Sequence, residues 1–256
     1  FALLANIYHY SIAVKKTSPT VYNLQNKIAG WLLLPVLLIS IGVTLIENNR
    51  GKADQLFKTA MDSHKQQKFD VVIETCENIL ARDPLHYKTH FVIANAYMSQ
   101  DNFEKAAYHI EKGLLYYPND LYALFQAGTI YIKQLKNILE KPNPDKNEIK
   151  KLEDKTLFWY GKAFAIREDF GKAWNNLGFL HERRAFRYLA ENNKIEGEAS
   201  LAKAKECFEK AIKQDPNYTD ALLNKANILQ NTGSGQEAIP IALKVLNIAM
   251  KNLHEK

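Results

Sequence analysis

Cysteine is almost missing from this sequence. Cys76 and Cys207 are the two among 256 residues. They stand far apart, each inside an amphipathic helical pattern, which excludes a disulfide framework and a cysteine-based zinc site. Both read as small packing residues. The short motifs of common chemistries are missing too: no phosphate-cradling glycine loop, no Gly-x-Ser-x-Gly, no His-Glu-x-x-His. His86 and His90 are four apart, but no carboxylate accompanies them at ligand spacing, so neither is read as a metal ligand. No catalytic residue, metal site or cofactor is expected, and the chain as given is not expected to be an enzyme. The net charge is +6, yet the lysines are spread along helical faces without stacking aromatics or a groove-reading motif. No nucleic-acid partner is expected.

What is present falls into two parts of opposite character. Residues 28–46, IAGWLLLPVLLISIGVTLI, run without one charge. As a helix they would span roughly 28 Å, close to the hydrocarbon core of a bilayer. Lys27 precedes them, Glu47 and Arg50 follow, and Trp31 lies one turn inside, where interfacial aromatics belong. Pro35 is tolerated in membrane helices. A transmembrane helix is therefore expected over 28–46. Residues 1–14, FALLANIYHYSIAV, are apolar but too short to cross. They read as the truncated end of a preceding membrane helix, or as a helix lying in the interface. The chain opens on Phe1 rather than Met, and the expectation is that it is the C-terminal piece of a longer protein. The short loop expected at 15–27 carries Lys15, Lys16 and Lys27 and no acid. By the positive-inside bias it belongs in the cytoplasm, and the expected location is a bacterial inner membrane with everything after residue 46 on the periplasmic side. Arg50, Lys52 and Lys58 weaken that bias.

From Ala53 onward the chain has helical periodicity, few glycines or prolines, and an internal repeat. Pro84 and Pro118 are 34 residues apart. Phe69, Val72, Cys76 and Ile79 precede the first at the spacing with which Phe103, Ala106, Ile110 and Gly113 precede the second. IANAY, with Ala94 and Tyr97, is echoed by AGTIY, with Gly128 and Tyr131. Later come AWNNLGFLH, with Trp174, Leu177 and Gly178, and KAKECFEKAIKQDP, with Ala204, Phe208, Ala211 and Pro216.

This order resembles the tetratricopeptide repeat, whose motif is W-x2-L-G-x2-Y followed by A-x3-F-x2-A-x4-P. The resemblance implies an all-α fold: a right-handed superhelical array of about five helix pairs over residues 53–252, preceded by one complete and one truncated transmembrane helix. The units fall at 53–86, 87–120, 121–170, 171–218 and 219–252. Small residues such as Ala94, Gly128 and Gly178 let the two helices of a pair approach, and a proline ends the second helix. Ser63 stands where the first unit should have an aromatic, and the third unit ends in Glu168 rather than proline. Units three and four are roughly fifteen residues too long, around 138–152 and 186–200. Both insertions keep apolar residues at helical spacing and are expected as lengthened helices projecting from one edge. Pro142 and Pro144 break the first projection, and Gly197 is expected to break the second. Gly233 and Gly235 mark the last turn, and Pro240 predicts a kinked or shortened final helix.

By the same resemblance, a partner segment of protein or peptide would lie on the concave face, at the second, fifth, ninth and twelfth positions of each unit. These are Lys88, Phe91, Asn95 and Met98, then Tyr122, Phe125, Thr129 and Ile132, then Lys172, Asn175, Phe179 and Glu182. The set mixes aromatic and apolar side chains with polar ones and is expected to suit a hydrophobic segment more than a charged one. The alternative is a groove filled by the chain's own lengthened or final helices. Lys133, Lys136, Arg183, Arg184 and Arg187 are candidate contacts to an anionic surface such as membrane lipid, the alternative being charge that keeps long exposed helices soluble. The leading functional expectation is a membrane-anchored scaffold for protein–protein interaction. The order of features also resembles, more loosely, the C-terminal part of O-antigen ligase-like glycan transferases, which would place any active site upstream of Phe1.

Overall fold

The computed structural model describes residues 19–254, with side chains over 35–253, as ten helices and, among the described residues, no strand. They are α1 (Pro19–Lys65), α2 (Phe69–Arg82), α3 (Tyr87–Ser99), α4 (Phe103–Tyr116), α5 (Leu121–Leu139), α6 (Lys146–Ile166), α7 (Gly171–Ala190), α8 (Lys194–Gln214), α9 (Thr219–Asn231) and α10 (Gly235–His254). From Ala53 they pair in sequence, α1 with α2 through α9 with α10, as the repeat predicts.

The helix α1 departs from expectation. It opens on Pro19, inside the segment 15–27 expected as a loop, and runs 47 residues without interruption into the first repeat. Proline suits a first helical position because its missing N–H would have no partner there. Nothing after it breaks the helix: Pro35 is the sole interior proline, and 47–52 contain no turn residue stronger than Gly51. Among the described residues no helix is long and apolar enough to cross a membrane. Residues 28–34 of the expected span, and the whole expected helix at 1–14, lie outside those whose side chains are described.

The turn inside four of the five pairs has one recurring device. Gln67, Asp101, Asn192 and Gly233 have φ of 58°, 55°, 59° and 84°. In each case the next amide reaches back five residues: Lys68 to Ser63, Asn102 to Tyr97, Asn193 to Tyr188, Ser234 to Leu229. This left-handed cap satisfies carbonyls that the helix end leaves open. The second break therefore lies at 191–193, not at Gly197. Gly197 is inside α8, and a Cβ there would sit 2.7 Å from Leu189, so its role is close packing of α8 on α7. At the far end of the first four pairs the capping residue leaves the helical backbone for a more extended one: Asp83, Tyr117 and Asp215 precede prolines, and Arg167 does so without one.

The eighth position of every unit is small. Ala60 and Ala94 are fully buried, and Ala226 nearly so. At Gly128 and Gly178 an added Cβ would meet the rings of Tyr160 and Phe208 at 2.5 Å. Each ring comes from the second helix of the pair and fills the place a side chain on the first would take. The lengthened hairpins are helical throughout, with α5 to α8 running 19 to 21 residues against 13 or 14 in α2 to α4. The final helix is neither short nor interrupted; Pro240 falls in its second turn and α10 continues to His254.

Candidate functional site

The first helices of successive pairs touch one another, α1 to α3, α5 to α7 and α7 to α9, while the second helices stand farther apart. The first-helix layer is therefore the inner, concave side of the array. Along it the expected groove residues grade from open to closed. Lys88, Tyr122 and Lys172, each at the second position of its unit, are exposed, Tyr122 by 68%. Phe91, Phe125, Asn95, Thr129, Phe179 and Met98 are half-buried, and Ile132, Asn175 and Glu182 are buried. The groove floor is thus already packed, and its accessible part lies toward the N-terminal ends of α3, α5 and α7.

Much of the polar lining is engaged with the next unit. Gln126 donates to Asn95, Asn224 donates to Asn175 at 3.0 Å, and Asn176 donates to Thr129 at 3.3 Å and to the Tyr160 hydroxyl at 2.9 Å. The bonds to Asn95, Thr129 and Asn175 form a ladder from one first helix to the following one, holding their spacing fixed, and the bond to Tyr160 ties α7 to α6. Phe91 also has a structural role, because its ring occupies the place a side chain at Gly113 would take.

Three expected residues, Tyr122, Phe125 and Lys172, do converge on one cleft of 370 Å³ where units three and four meet. The ring of Phe170 joins them, 4.8 Å from Phe125 and 6.1 Å from Tyr122, with the Arg167 guanidinium 4.8 Å above it. Tyr218 closes the far wall, and burial pushes its hydroxyl pKa up. Sequence reasoning missed Phe170, Arg167 and Tyr218 because they sit on connections between units, outside the four motif positions. An aromatic immediately before two consecutive first helices, Phe170 and Tyr218, was the available signal. Deeper along α7, burial also raises the Glu182 pKa, with Arg183 opposing.

The candidate anionic-surface contacts divide. Arg184 and Arg187 hold the buried Glu153 carboxylate at 3.0 and 2.7 Å, Arg183 stacks on Phe179 at 4.8 Å, and Lys133 lies over Phe103 at 5.5 Å. Lys136 is exposed. His86 and His90 do not meet: His86 Nδ1 bonds Thr89 Oγ1 at 2.7 Å, and His90 Nδ1 faces His109 Nδ1 at 3.1 Å. Among the described residues no group of three His, Cys, Asp or Glu could hold a metal ion.

Comparison with known proteins agrees with this geometry. The tetratricopeptide repeat family model matches residues 207–239. No curated protein matches the chain. Among solved structures, MamA from Desulfovibrio magneticus RS-1 superposes with a TM-score of 0.60 at 14% identity, over 78% of this chain and 96% of that one. YrrB, described as a TPR protein with an unusual peptide-binding site, gives 0.55 at 17% identity over 79% and 89%. The pilF protein of Pseudomonas aeruginosa gives 0.57 at 15% over 78% of each chain. At such identities the likeness is one of fold. With the repeat spacing and the paired helices, it gives the chain the fold of a tetratricopeptide repeat array, within which residues 207–239 match the family's own model.

Proposed function

We propose that the chain is a membrane-anchored scaffold that holds a segment of a partner protein at the concave cleft of Tyr122, Phe125 and Lys172. The observation that carries the binding half is the convergence of an exposed tyrosine, a half-buried phenylalanine and an exposed lysine on a cleft left open in an otherwise packed groove. An apolar side chain of the partner would bury against the rings, and a backbone carbonyl or carboxylate would meet Lys172. A fold suited to peptide binding supports the reading, as does the peptide-binding site described for YrrB.

The anchoring half rests on α1. Val36, Leu37, Leu38, Ile39, Ile41, Val43, Leu45 and Ile46 are each 48% to 66% exposed, on every side of the helix. A helix apolar all round needs an apolar surround on all sides, which lipid provides and a single docking groove does not. Because α1 is unbroken, the first repeat would be rigidly coupled to the anchor. The basic residues Lys15, Lys16 and Lys27 favour the outward orientation of the repeats.

Two measurements test this. With Asn49→Cys in intact cells, an impermeant maleimide labels the chain before lysis if the repeats face outward; labelling only after lysis overturns the orientation, and release of the chain by alkaline carbonate overturns the anchor. Cys76 and Cys207 are buried and give little background. A photo-crosslinking residue at position 122 should give discrete adducts that Lys172→Glu removes. Adducts unaffected by that change, or none, would refute the cleft. Phe91 is unsuitable for this purpose because of its packing role.

A further inference from the structure

The outer face carries a second recess that the concave reading does not use. Between α4 and α6 lies a furrow of 510 Å³. Tyr108, Leu115 and Phe158 line it while 58%, 74% and 53% exposed, and half-buried Trp159 forms part of its wall. The indole Nε1 of Trp159 is buried without an acceptor, so a donor stands unpaired beside the recess.

Two lysines are set into this aromatic surface from opposite walls. The Lys112 ammonium lies 5.6 Å from the Tyr108 ring centre, and that of Lys162 lies 4.9 Å from Phe158 and 5.7 Å from Trp159. Neither is ion-paired with a carboxylate among the described residues. The furrow's own acid, Glu111, is already held by the Tyr131 hydroxyl at 2.5 Å and Lys155 at 2.9 Å. Past Phe158 a second hollow of 570 Å³ continues along α6 beside Lys150 and Lys151, with Asp154 as its one acid.

We propose that this furrow is a second docking surface, which takes an acidic amphipathic segment of another protein. An apolar side chain of that segment enters between Leu115, Phe158 and Trp159, and its carboxylates meet Lys112 and Lys162. Charge decides the class of occupant. A basic segment would face lysines with no counter-charge, and a wholly apolar one would bury both ammonium groups unpaired, each at a desolvation cost. The recessed placement of the anchors between two helices favours an inserted segment over a flat bilayer surface. This surface is independent of the concave cleft, since it is built from the second helices of units two and three.

The test uses the full chain and three probes followed by fluorescence anisotropy or co-sedimentation: an amphipathic Leu/Glu helical peptide, its Lys-for-Glu twin, and phosphatidylserine vesicles. The acidic peptide is expected to bind, with affinity reduced at least about tenfold by Lys112→Glu with Lys162→Glu and unchanged by Tyr122→Glu. If charge reversal lowers helical content, Lys112→Gln with Lys162→Gln serves instead and should weaken binding severalfold. Equal binding of the twin, vesicle binding without peptide binding, failure of the acidic peptide to bind, or binding indifferent to both lysine pairs each overturn the proposal. Since Tyr122→Glu probes the concave cleft alone, failure of one surface is distinguishable from failure of the other.

Discussion

Glu153 is the most demanding charge in the described structure, and replacing it should split the array. Its side chain is 3% exposed, with one oxygen on Arg184 Nε at 3.0 Å and the other on Arg187 Nη2 at 2.7 Å. The carboxylate belongs to α6 and the guanidinium groups to α7, so one hydrogen bond, from Arg187, and one ion pair, with Arg184, join unit three to unit four. Glu153→Ala leaves two cations one helical turn apart with no counter-charge. Breaking a fully buried pair costs about 3–5 kcal/mol. Here the arginines are 23% exposed and can partly rehydrate, so ~2–3 kcal/mol is expected. For a chain of this size that lowers Tm by roughly 4–12 °C. Since repeats interact mainly with their neighbours, weakening one junction should also separate urea unfolding into two steps. Circular dichroism against urea, with a cycle of Glu153→Ala and Arg184→Ala/Arg187→Ala, reads both effects. The arginine changes should cost much less once Glu153 is gone. A loss below about 0.5 kcal/mol for Glu153→Ala, or costs that simply add, would refute the reasoning.

The remaining expectations use the same denaturation assays. Gly178→Ala would drive a Cβ to within 2.5 Å of the Phe208 ring and should destabilise by about 1–3 kcal/mol, whereas Gly161→Ala, with nothing within 4 Å, should stabilise the helix by up to ~1 kcal/mol. A reversed order of the two would contradict the packing account. Burial, aided by His90 and Lys105 at His109 and by Arg184 and Lys203 at His181, lowers both histidines to about 4. The unfolded chain therefore binds protons that the folded one refuses, so this contribution is complete above about pH 6.5 and is lost as pH falls from there towards 4. His109→Phe should flatten the acid limb of the stability curve, and an unchanged limb would count against it. Burial pushes the Cys76 and Cys207 thiols up to about 12, so both should react with a thiol reagent at the rate of unfolding rather than at the rate of a free thiol.

The array was legible because its physics repeats. Proline at one phase and a small residue at another recur often enough that close approach of the paired helices at Gly128 and Gly178 is legible, although the rings that fill those places, Tyr160 and Phe208, are not. Gly197 misled for a local reason: glycine ends helices and also permits close packing, and only the position of Leu189 separates the two. The groove was half legible. Motif positions identify which residues face inward, but not that Asn95 and Asn175 would bond the neighbouring unit, because that depends on the register between first helices. The basic edge shows the same limit, since Arg184 and Arg187 find their anion in Glu153, more than thirty residues away. The continuity of α1 was not legible either, because nothing in 47–52 distinguishes a polar helical stretch from a linker.

The two insertions are best understood as a single feature. A helical hairpin lengthened alone would carry its extra apolar turns into water, since unit two on one side and unit five on the other are short. Lengthened together, units three and four can be tied across their extensions, while each extension packs within its own hairpin: Ile138, Ile149 and Leu152 are buried on one, and Ala185, Gly197 and Ser200 on the other, with Gly197 against Leu189. The outermost link is Lys146 with Glu191 at 2.7 Å, and the Glu153 cluster lies inward of it. An exposed bridge such as Lys146–Glu191 contributes ~0–1 kcal/mol, so the buried Glu153 cluster carries the link between the hairpins and the bridge sets its alignment. Deleting either insertion by itself should then destabilise the protein more than deleting both. The hairpin left behind loses the Lys146–Glu191 and Glu153 links that tie it to its neighbour, and removing the pair returns both units to the length of their neighbours.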